Sequence, residues 1–144
     1  PTAGCNTPGT TLFTGVGVKA LAPEGCATTV PYGWRSQNPF KSTYFAALAM
    51  AAELSTGALV LLHTSDRPFS TLIVGMTATF GKKATSTTTF TCDGGAAVAA
   101  AVQEALATGE PRTIVLDTVG TLPDGAEVAR FTFAWSVKPR SQKA

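Results

Sequence analysis

The stretch that decides the fold is Ser42-Thr-Tyr-Phe-Ala-Ala-Leu-Ala-Met-Ala-Ala-Glu-Leu-Ser-Thr-Gly-Ala-Leu-Val-Leu-Leu62. It is apolar on nearly every helical face, which is typical of a helix buried inside a domain. We predict a helix from about Thr43 to Leu61, with Ser42 as its N-cap. Glu53 is the only charged residue in this stretch, so one carboxylate stands at the centre of the predicted helix.

Glu53 is an unusual residue for a buried helix. A carboxylate that leaves water loses its hydration, unless a partner hydrogen-bonds it or its pKa rises. Buried carboxylates with shifted pKa values are concentrated at functional sites. Two other interpretations stay open: a structural carboxylate whose hydrogen bonds are satisfied, or a side chain that faces solvent.

The composition indicates one domain with a surface that is poor in charge. The chain has 144 residues, of which 44% are hydrophobic and 14% are charged. Designed soluble surfaces carry about 25–35% charged residues, so we expect another subunit to cover part of the apolar surface. The net charge of +2 is too small and too scattered to indicate nucleic-acid binding. We therefore predict a single domain over residues 1–144, with an ordered core at about 12–139.

The cysteines and the amino-terminal residues suggest a cytoplasmic protein. Cys5, Cys26 and Cys92 are widely spaced and odd in number, which argues against a disulfide framework and fits a reducing compartment. Residues 1–11 lack the basic start and apolar core of a secretory signal. A membrane span through the helix would put Glu53 at the bilayer centre, where a charge is costly. No cluster has metal-ligand spacing, and we expect no cofactor.

Segments with period-two alternation surround the long helix and predict strands. In the clearest one, Phe131, Phe133 and Trp135 alternate with more polar residues. One polar face is typical of an antiparallel sheet that is covered on one side. The predicted strands are 11–21, 24–31, 71–80, 84–92, 112–119 and 129–138.

A second, shorter helix is predicted from about Ala96 to Ala107. Asp93 or a neighbouring glycine opens it, and Gly109 stands where a C-terminal glycine is expected. The order is then strand, strand, long helix, strand, strand, helix, strand, strand. A long apolar helix among antiparallel strands predicts one sheet wrapped around one helix.

Five segments follow one another in an informative order: Asn38-Pro-Phe-Lys-Ser-Thr-Tyr-Phe-Ala-Ala-Leu-Ala-Met-Ala-Ala-Glu53, Phe80-Gly-Lys-Lys-Ala84, Phe90-Thr-Cys92, Ala107-Thr-Gly-Glu110 and Phe131-Thr-Phe-Ala-Trp-Ser-Val-Lys138. Together they resemble a bacterial hotdog-fold family of uncharacterised function, the DUF4442 type, which is related to the phenylacetate-type acyl-CoA thioesterases. The resemblance covers about residues 12–139 and is more specific for the fold than for the activity. It implies an α+β hotdog fold, in which a curved antiparallel sheet of about six strands wraps around a long central helix, with one further short helix.

The resemblance also implies a site. Such thioesterases carry an asparagine before the central helix and a carboxylate within it, and Asn38 and Glu53 stand in these places. The carboxylate activates water or attacks the thioester carbonyl, while the asparagine, from the other subunit of a dimer, holds the carbonyl or the water. A backbone N–H at the helix start, here that of Phe45, stabilises the oxyanion. Ser70 or Thr71 would orient the water.

The chain departs from this pattern where the enzymes carry His-Gly-Gly. Here the positions read Tyr44-Phe45-Ala46, so a bulky side chain replaces a glycine that permits close ligand approach. Any non-proline residue still supplies a backbone N–H. The acid is Glu53, whereas aspartate is commoner in this type.

Acyl-CoA hydrolysis by a homodimer or a dimer of dimers is the leading hypothesis from the sequence. Lys82 and Lys83 would contact the CoA phosphates as point charges. The alternative is a non-catalytic protein that binds acyl-CoA with the same fold, and a third class is an interaction module without a ligand. No nucleic acid and no membrane are expected as partners.

Each candidate also has a plain structural interpretation. Asn38 precedes Pro39 and is then a turn residue, Ser70 and Thr71 are ordinary strand-edge residues, and Lys82 and Lys83 form a solvated turn. His63 interacts with the helix C-terminus, since no Gly-x-Ser-x-Gly segment supports a serine-hydrolase triad. Trp34 and Trp135 are core or interface aromatics.

Overall fold

The computed structural model describes residues 15–33, 43 and 45–140. The predictions for Trp34, Asn38, Ser42 and Tyr44 lie outside these residues. The elements, in chain order, are β1 (Gly17–Ala22), β2 (Gly25–Val30), α1 (Phe45–Thr64), β3 (Phe69–Phe80), β4 (Thr88–Cys92), α2 (Gly95–Thr108), β5 (Arg112–Thr121) and β6 (Glu127–Pro139). Their order confirms the predicted sequence of strands and helices.

The six strands form one antiparallel sheet in the order β1-β2-β4-β5-β6-β3. Its inner face packs on α1, whose buried side includes Ala47, Ala51 and Ala52. Alanines let the helix backbone lie close to the strands, and two hydroxyl contacts fasten it there. Thr28 Oγ1 donates to the Ala51 carbonyl at 2.6 Å, and the hydroxyls of Ser55 and Thr118 lie 2.6 Å apart. This arrangement is the hotdog fold that the resemblance implies.

The bounds of α1 and of two strands differ from their predictions by three residues or more at one end. α1 continues to Thr64, where the buried Thr64 hydroxyl donates to the Val60 carbonyl. β1 begins at Gly17 and β4 at Thr88, while residues 11–14 of the predicted first strand lie outside the described residues. The segment before β4 instead pairs with Thr43. The Ala84 carbonyl accepts a hydrogen bond from the backbone N–H of Thr43 at 2.9 Å and another from its hydroxyl at 3.0 Å.

The second helix matches its prediction closely at both ends. Gly94 is its N-cap, and Gly109 is its C-cap with a left-handed φ of 73°, a conformation that glycine adopts without strain. Within the helix, Val98 and Val102 are buried as their spacing predicts. Leu106 is exposed instead, and Ala105 takes the buried position in the last turn.

The strand β3 forms one edge of the sheet. Among the described residues it pairs only with β6, and its apolar side chains remain open. Leu72 is 64% exposed, Val74 56% and Met76 47%. A long edge strand with exposed apolar residues is a template for association with another chain. This edge is therefore a candidate for the apolar surface that, from the low charge content, we expect another subunit to cover.

The helix α1 is long and apolar enough, by length and composition alone, to cross a membrane. In this fold its buried side instead packs on the inner face of the sheet. The core helix of a globular domain passes the same test of length and composition.

The strand β6 presents its aromatic residues to α1, which confirms the predicted face. Phe131 and Phe133 are buried, and Trp135 is partly buried in the same row. The indole Nε1–H of Trp135 donates to Thr56 Oγ1 at 3.0 Å. Trp135 therefore combines packing with a hydrogen bond between β6 and α1.

Replacing Trp135 with alanine should lower the free energy of unfolding by about 3 kcal/mol. This is the low end of the range for deleting a core aromatic, because the indole is only partly buried. Urea denaturation measures the change, with Val115→Ala as the control. Val115 is 63% exposed, so its truncation should change stability by less than about 0.5 kcal/mol. A loss below about 1 kcal/mol for Trp135→Ala would contradict its role as an anchor.

Candidate active site

Glu53 lies on the side of α1 that the sheet leaves open. Its side chain is exposed on the single chain and has no hydrogen bond or ion pair among the described residues. This is the solvent-facing alternative that the sequence leaves open, and it differs from the burial that the composition of the helix favours. Phe45, Ala49 and Glu53 follow one another at intervals of four residues and so share one helix face. We call these three residues the open stripe of α1.

The strand β3 supplies the neighbouring wall. Directly opposite residues of an antiparallel pair point to the same side of a sheet, and β6 turns Val137, Trp135, Phe133 and Phe131 toward α1. Their partners on β3 therefore also lie on the helix side. These partners are Thr71, Ile73, Met76 and Ala78. The open stripe of α1 meets β3 at its start, where the Phe45 ring contacts Phe80.

The register separates the two hydroxyl residues that the sequence proposes as water-orienting groups. Thr71 pairs with the buried Val137, so it lies on the helix side of β3. Ser70 pairs with Lys138 and lies on the opposite side. There it lines a groove of about 660 Å³ with Lys138 and Arg140. Of the two, Thr71 is the one that shares a side of the sheet with Glu53.

A groove of about 390 Å³ opens at the start of α1. Its lining contains Thr43, Phe45, Leu48, Phe80, Gly81, Lys82 and Lys83. None of these residues is acidic, and the first turn of α1 has no acidic residue either. The start of a helix carries partial positive charge from its aligned peptide dipoles. With two lysines beside it, this groove is suited to an anionic group.

Phe45 shapes one wall of the groove. Its ring is 53% exposed and meets Phe80 edge to face, with ring centroids 5.5 Å apart. Phe80 in turn meets Phe131 at 5.6 Å, which ties the wall to the core. As the first residue of α1, Phe45 also carries a backbone N–H that has no acceptor within the helix.

Phe45 and Glu53 of one chain cannot act on the same carbonyl group. They are separated by two turns of the same helix, or about 12 Å along its axis at about 1.5 Å per residue. A carbonyl that accepts from the Phe45 N–H is therefore out of reach of the Glu53 carboxylate of that chain. The two groups can meet only if each comes from a different subunit.

The other titratable candidates have structural roles. His63 Nε2 lies 2.9 Å from the Pro23 carbonyl oxygen, which joins the last turn of α1 to the turn between β1 and β2. Burial raises the pKa of the Cys92 thiol and so disfavours its reactive thiolate. Within the described ranges, no group of three metal-ligating side chains comes together.

Sequence reasoning missed two residues next to Glu53. Thr56 is fully buried, and its hydroxyl donates to the Glu53 carbonyl at 2.9 Å. Gly57 lies against the indole of Trp135, where an added Cβ would be 3.2 Å from the ring. The available signal was their spacing of three and four residues from Glu53, which puts them one helical turn away.

The family comparison matches residues 10–137 to the model described as a domain of unknown function, DUF4442. No curated protein matches in the sequence comparison.

Solved structures share the fold at low sequence identity. Protein PA5026 of Pseudomonas aeruginosa, described as a probable thioesterase of unknown function, is 24% identical with a TM-score of 0.79, over 88% of this chain and 85% of that one. A Q49A mutant of thioesterase PA1618 from the same species is 17% identical with a TM-score of 0.74, over 92% and 88%. A mutant of the Staphylococcus aureus thioesterase SAV0944 is 13% identical with a TM-score of 0.70, over 90% and 98%.

Proposed function

Because the chain belongs to the DUF4442 family and has a hotdog fold, we propose that it hydrolyses an acyl-CoA thioester, with Glu53 as the general base or nucleophile. The observation that carries this proposal is the position of Glu53. Its unpaired, exposed carboxylate lies on the open stripe of α1, two turns from the Phe45 ring that meets Phe80 of the edge strand β3. We also propose that the protein is cytoplasmic and that residues 1–144 form one domain.

The solved structures support this choice of residues. PA1618 and, in one of its structures, SAV0944 are called thioesterases, and two SAV0944 structures carry alanine in place of a glutamine and of a glutamate. These two mutated positions are fifteen residues apart in that protein. Asn38 and Glu53 have the same separation here, and both pairs join an amide side chain to a carboxylate.

A homodimer would complete the site. Glu53 of one subunit would face Phe45 and Asn38 of the other, since one chain keeps Phe45 and Glu53 two turns apart. The α1 helices would then run antiparallel, with the two-fold axis beside Ala49, halfway between Phe45 and Glu53. Met76 and Phe80, the exposed large apolar residues on the helix side of β3, would be covered by the same contact.

In the proposed reaction, Glu53 takes a proton from water as the water attacks the thioester carbonyl. The Phe45 N–H and the positive end of α1 would stabilise the oxyanion, while Asn38 holds the carbonyl or the water. Collapse of the tetrahedral intermediate breaks the C–S bond, and the thiolate receives the proton from Glu53. The products are the carboxylic acid and the free thiol. Thr71 is the better-placed water-orienting hydroxyl, and Ser70 lies on the other side of β3.

A non-catalytic acyl-CoA binding protein is the second candidate. The observation that favours it is the exposed ring of Phe45, which stands where related thioesterases carry glycine and narrows the approach to the helix start. In that case the same groove holds the ligand, and Glu53 is a polar anchor. The two functions differ in one measurable quantity, which is the release of free thiol.

The dimer should be visible in solution at micromolar concentration. Light scattering should give at least twice the mass of the 14.8 kDa chain. In a Cys5→Ser background, Ala49→Cys should cross-link to its own copy with a short bifunctional thiol reagent, because the proposed axis passes beside it. Ala100→Cys, on the exposed side of α2, is the control and should stay uncross-linked. A stable monomer would contradict both the dimer and the shared site.

Glu53→Gln should reduce thioester hydrolysis by at least about 10²-fold, the lower range for removing a general acid–base. Substrate binding should persist because the amide fills the same space. Asn38→Ala should reduce turnover less, since it removes an orienting hydrogen bond and no proton carrier. Thiol release is measured over a panel of acyl-CoA esters, with Glu110→Gln as an exposed carboxylate control. Glu53→Gln with full activity would contradict the catalytic role, and binding by wild type without turnover would favour the second candidate.

The double substitution Lys82→Ala, Lys83→Ala should raise the KM for an acyl-CoA about tenfold, since each exposed charge is worth up to about 1 kcal/mol. The KM for the matching N-acetylcysteamine thioester, which lacks the phosphates, should stay the same. Lys138→Ala, next to the other groove, is the control. An equal rise of both KM values would show that the two lysines support the structure of the groove and do not contact the phosphates.

A further inference from the structure

Two hydrogen bonds in series connect β6 to the backbone of Glu53. The Trp135 indole Nε1–H donates to Thr56 Oγ1 at 3.0 Å, and the Thr56 hydroxyl donates to the Glu53 carbonyl at 2.9 Å. Thr56 is fully buried, so water does not compete for its hydroxyl. Trp135 and Thr56 are 79 residues apart in the chain, and their contact therefore joins distant parts of the fold.

Gly57 allows this contact to form. An added Cβ at Gly57 would lie 3.2 and 3.3 Å from ring carbons of Trp135, which is closer than comfortable packing permits. Without a side chain at this position, the indole packs against the helical turn that follows Glu53. That turn is thus held against β6 both by packing and by a hydrogen bond.

The Glu53 side chain has no such attachment, because its carboxylate has no polar partner among the described residues. Its position relative to β3 and to a second subunit is set by its own backbone. We propose that Thr56 and Trp135 are positioning residues for the proposed catalytic carboxylate. They hold the turn of α1 from which the Glu53 side chain extends away from the sheet. This inference rests on the proposed hydrolysis and adds two residues to its machinery.

The same helix contains a matched arrangement that does not end at Glu53. Ser55 Oγ donates to the Ala52 carbonyl at 2.7 Å and lies 2.6 Å from the Thr118 hydroxyl. Because the Ser55 hydroxyl donates its proton to the Ala52 carbonyl, the Thr118 hydroxyl is the donor to Ser55 Oγ. Thr118 on β5 is fully buried, as is Thr56. Both relays fasten α1 to the sheet through a buried hydroxyl, one ending at Ala52 and the other at Glu53.

The test compares Thr56→Val with Thr118→Val, which remove one buried hydroxyl each without a large change of volume. Both should lower the midpoint of thermal unfolding by similar amounts. Only Thr56→Val should lower kcat, by about tenfold or more, since a misplacement of about 1 Å at a reacting group can cost about 10²-fold. Its KM should stay within about twofold of wild type. Thr56→Ser keeps the hydroxyl and should restore most of kcat.

Trp135→Phe supplies a second, independent variant because it keeps an aromatic ring but removes the N–H donor. Its loss of kcat should not add to that of Thr56→Val in the double variant, as expected for two residues of one network. Equal kcat for Thr56→Val and Thr118→Val would overturn the positioning role and leave the proposed hydrolysis in place. A wild-type protein that releases no thiol from any ester would instead overturn the proposed function and this inference with it.

Discussion

Close packing of α1 against the inner face of the sheet is the contact on which the rest of the structure depends. Three alanines, Ala47, Ala51 and Ala52, occupy its buried side, so the helix can approach the strands closely. The large aromatic side chains come mainly from the sheet, with Phe90, Phe131 and Phe133 fully or nearly fully buried. In the first half of α1 this mostly small helix face complements the large side chains of the sheet, while Leu59 and Val60 fill the core in the second half.

This packing leaves one stripe of α1 uncovered, and the candidate site lies there. The sheet reaches its edge at β3, whose Phe80 meets the Phe45 ring, so Phe45 and Glu53 are exposed on the side of the sheet that also carries Met76 and Phe80. A charge-poor protein with such an edge is suited to association. Because α1 rises about 1.5 Å per residue, the Phe45 N–H and the Glu53 carboxylate of the proposed site must come from two chains. The open stripe of α1 thus connects the fold to the proposed dimer and to the proposed site.

The element order and the buried face of β6 could be predicted because each depends on local periodicity. Alternation along Phe131, Phe133 and Trp135 shows which side is apolar, and apolar composition alone marks α1 as the core helix. The exposure of Glu53 could not be predicted, since it depends on how far the sheet extends around the helix. The choice between Ser70 and Thr71 depends on the β3–β6 register, which shifts between Ile73 and Gly75. The contact of Trp135 with Thr56 depends on the tertiary fold, which local patterns do not show.

Relative to glycine, a phenylalanine at position 45 changes the shape of the helix start more than its chemistry. The backbone N–H at the first position of α1 is present whatever the side chain. The ring is held at the edge of Phe80, so it belongs to the wall of the groove beside β3. A ligand that enters here meets an aromatic side and a cationic side formed by Lys82 and Lys83. A thioester of an anionic carrier, the proposed substrate, has both an apolar and a charged part. A narrowed entrance of this kind would select among acyl groups by their width, while the backbone N–H of Phe45, the proposed oxyanion donor, stays in place.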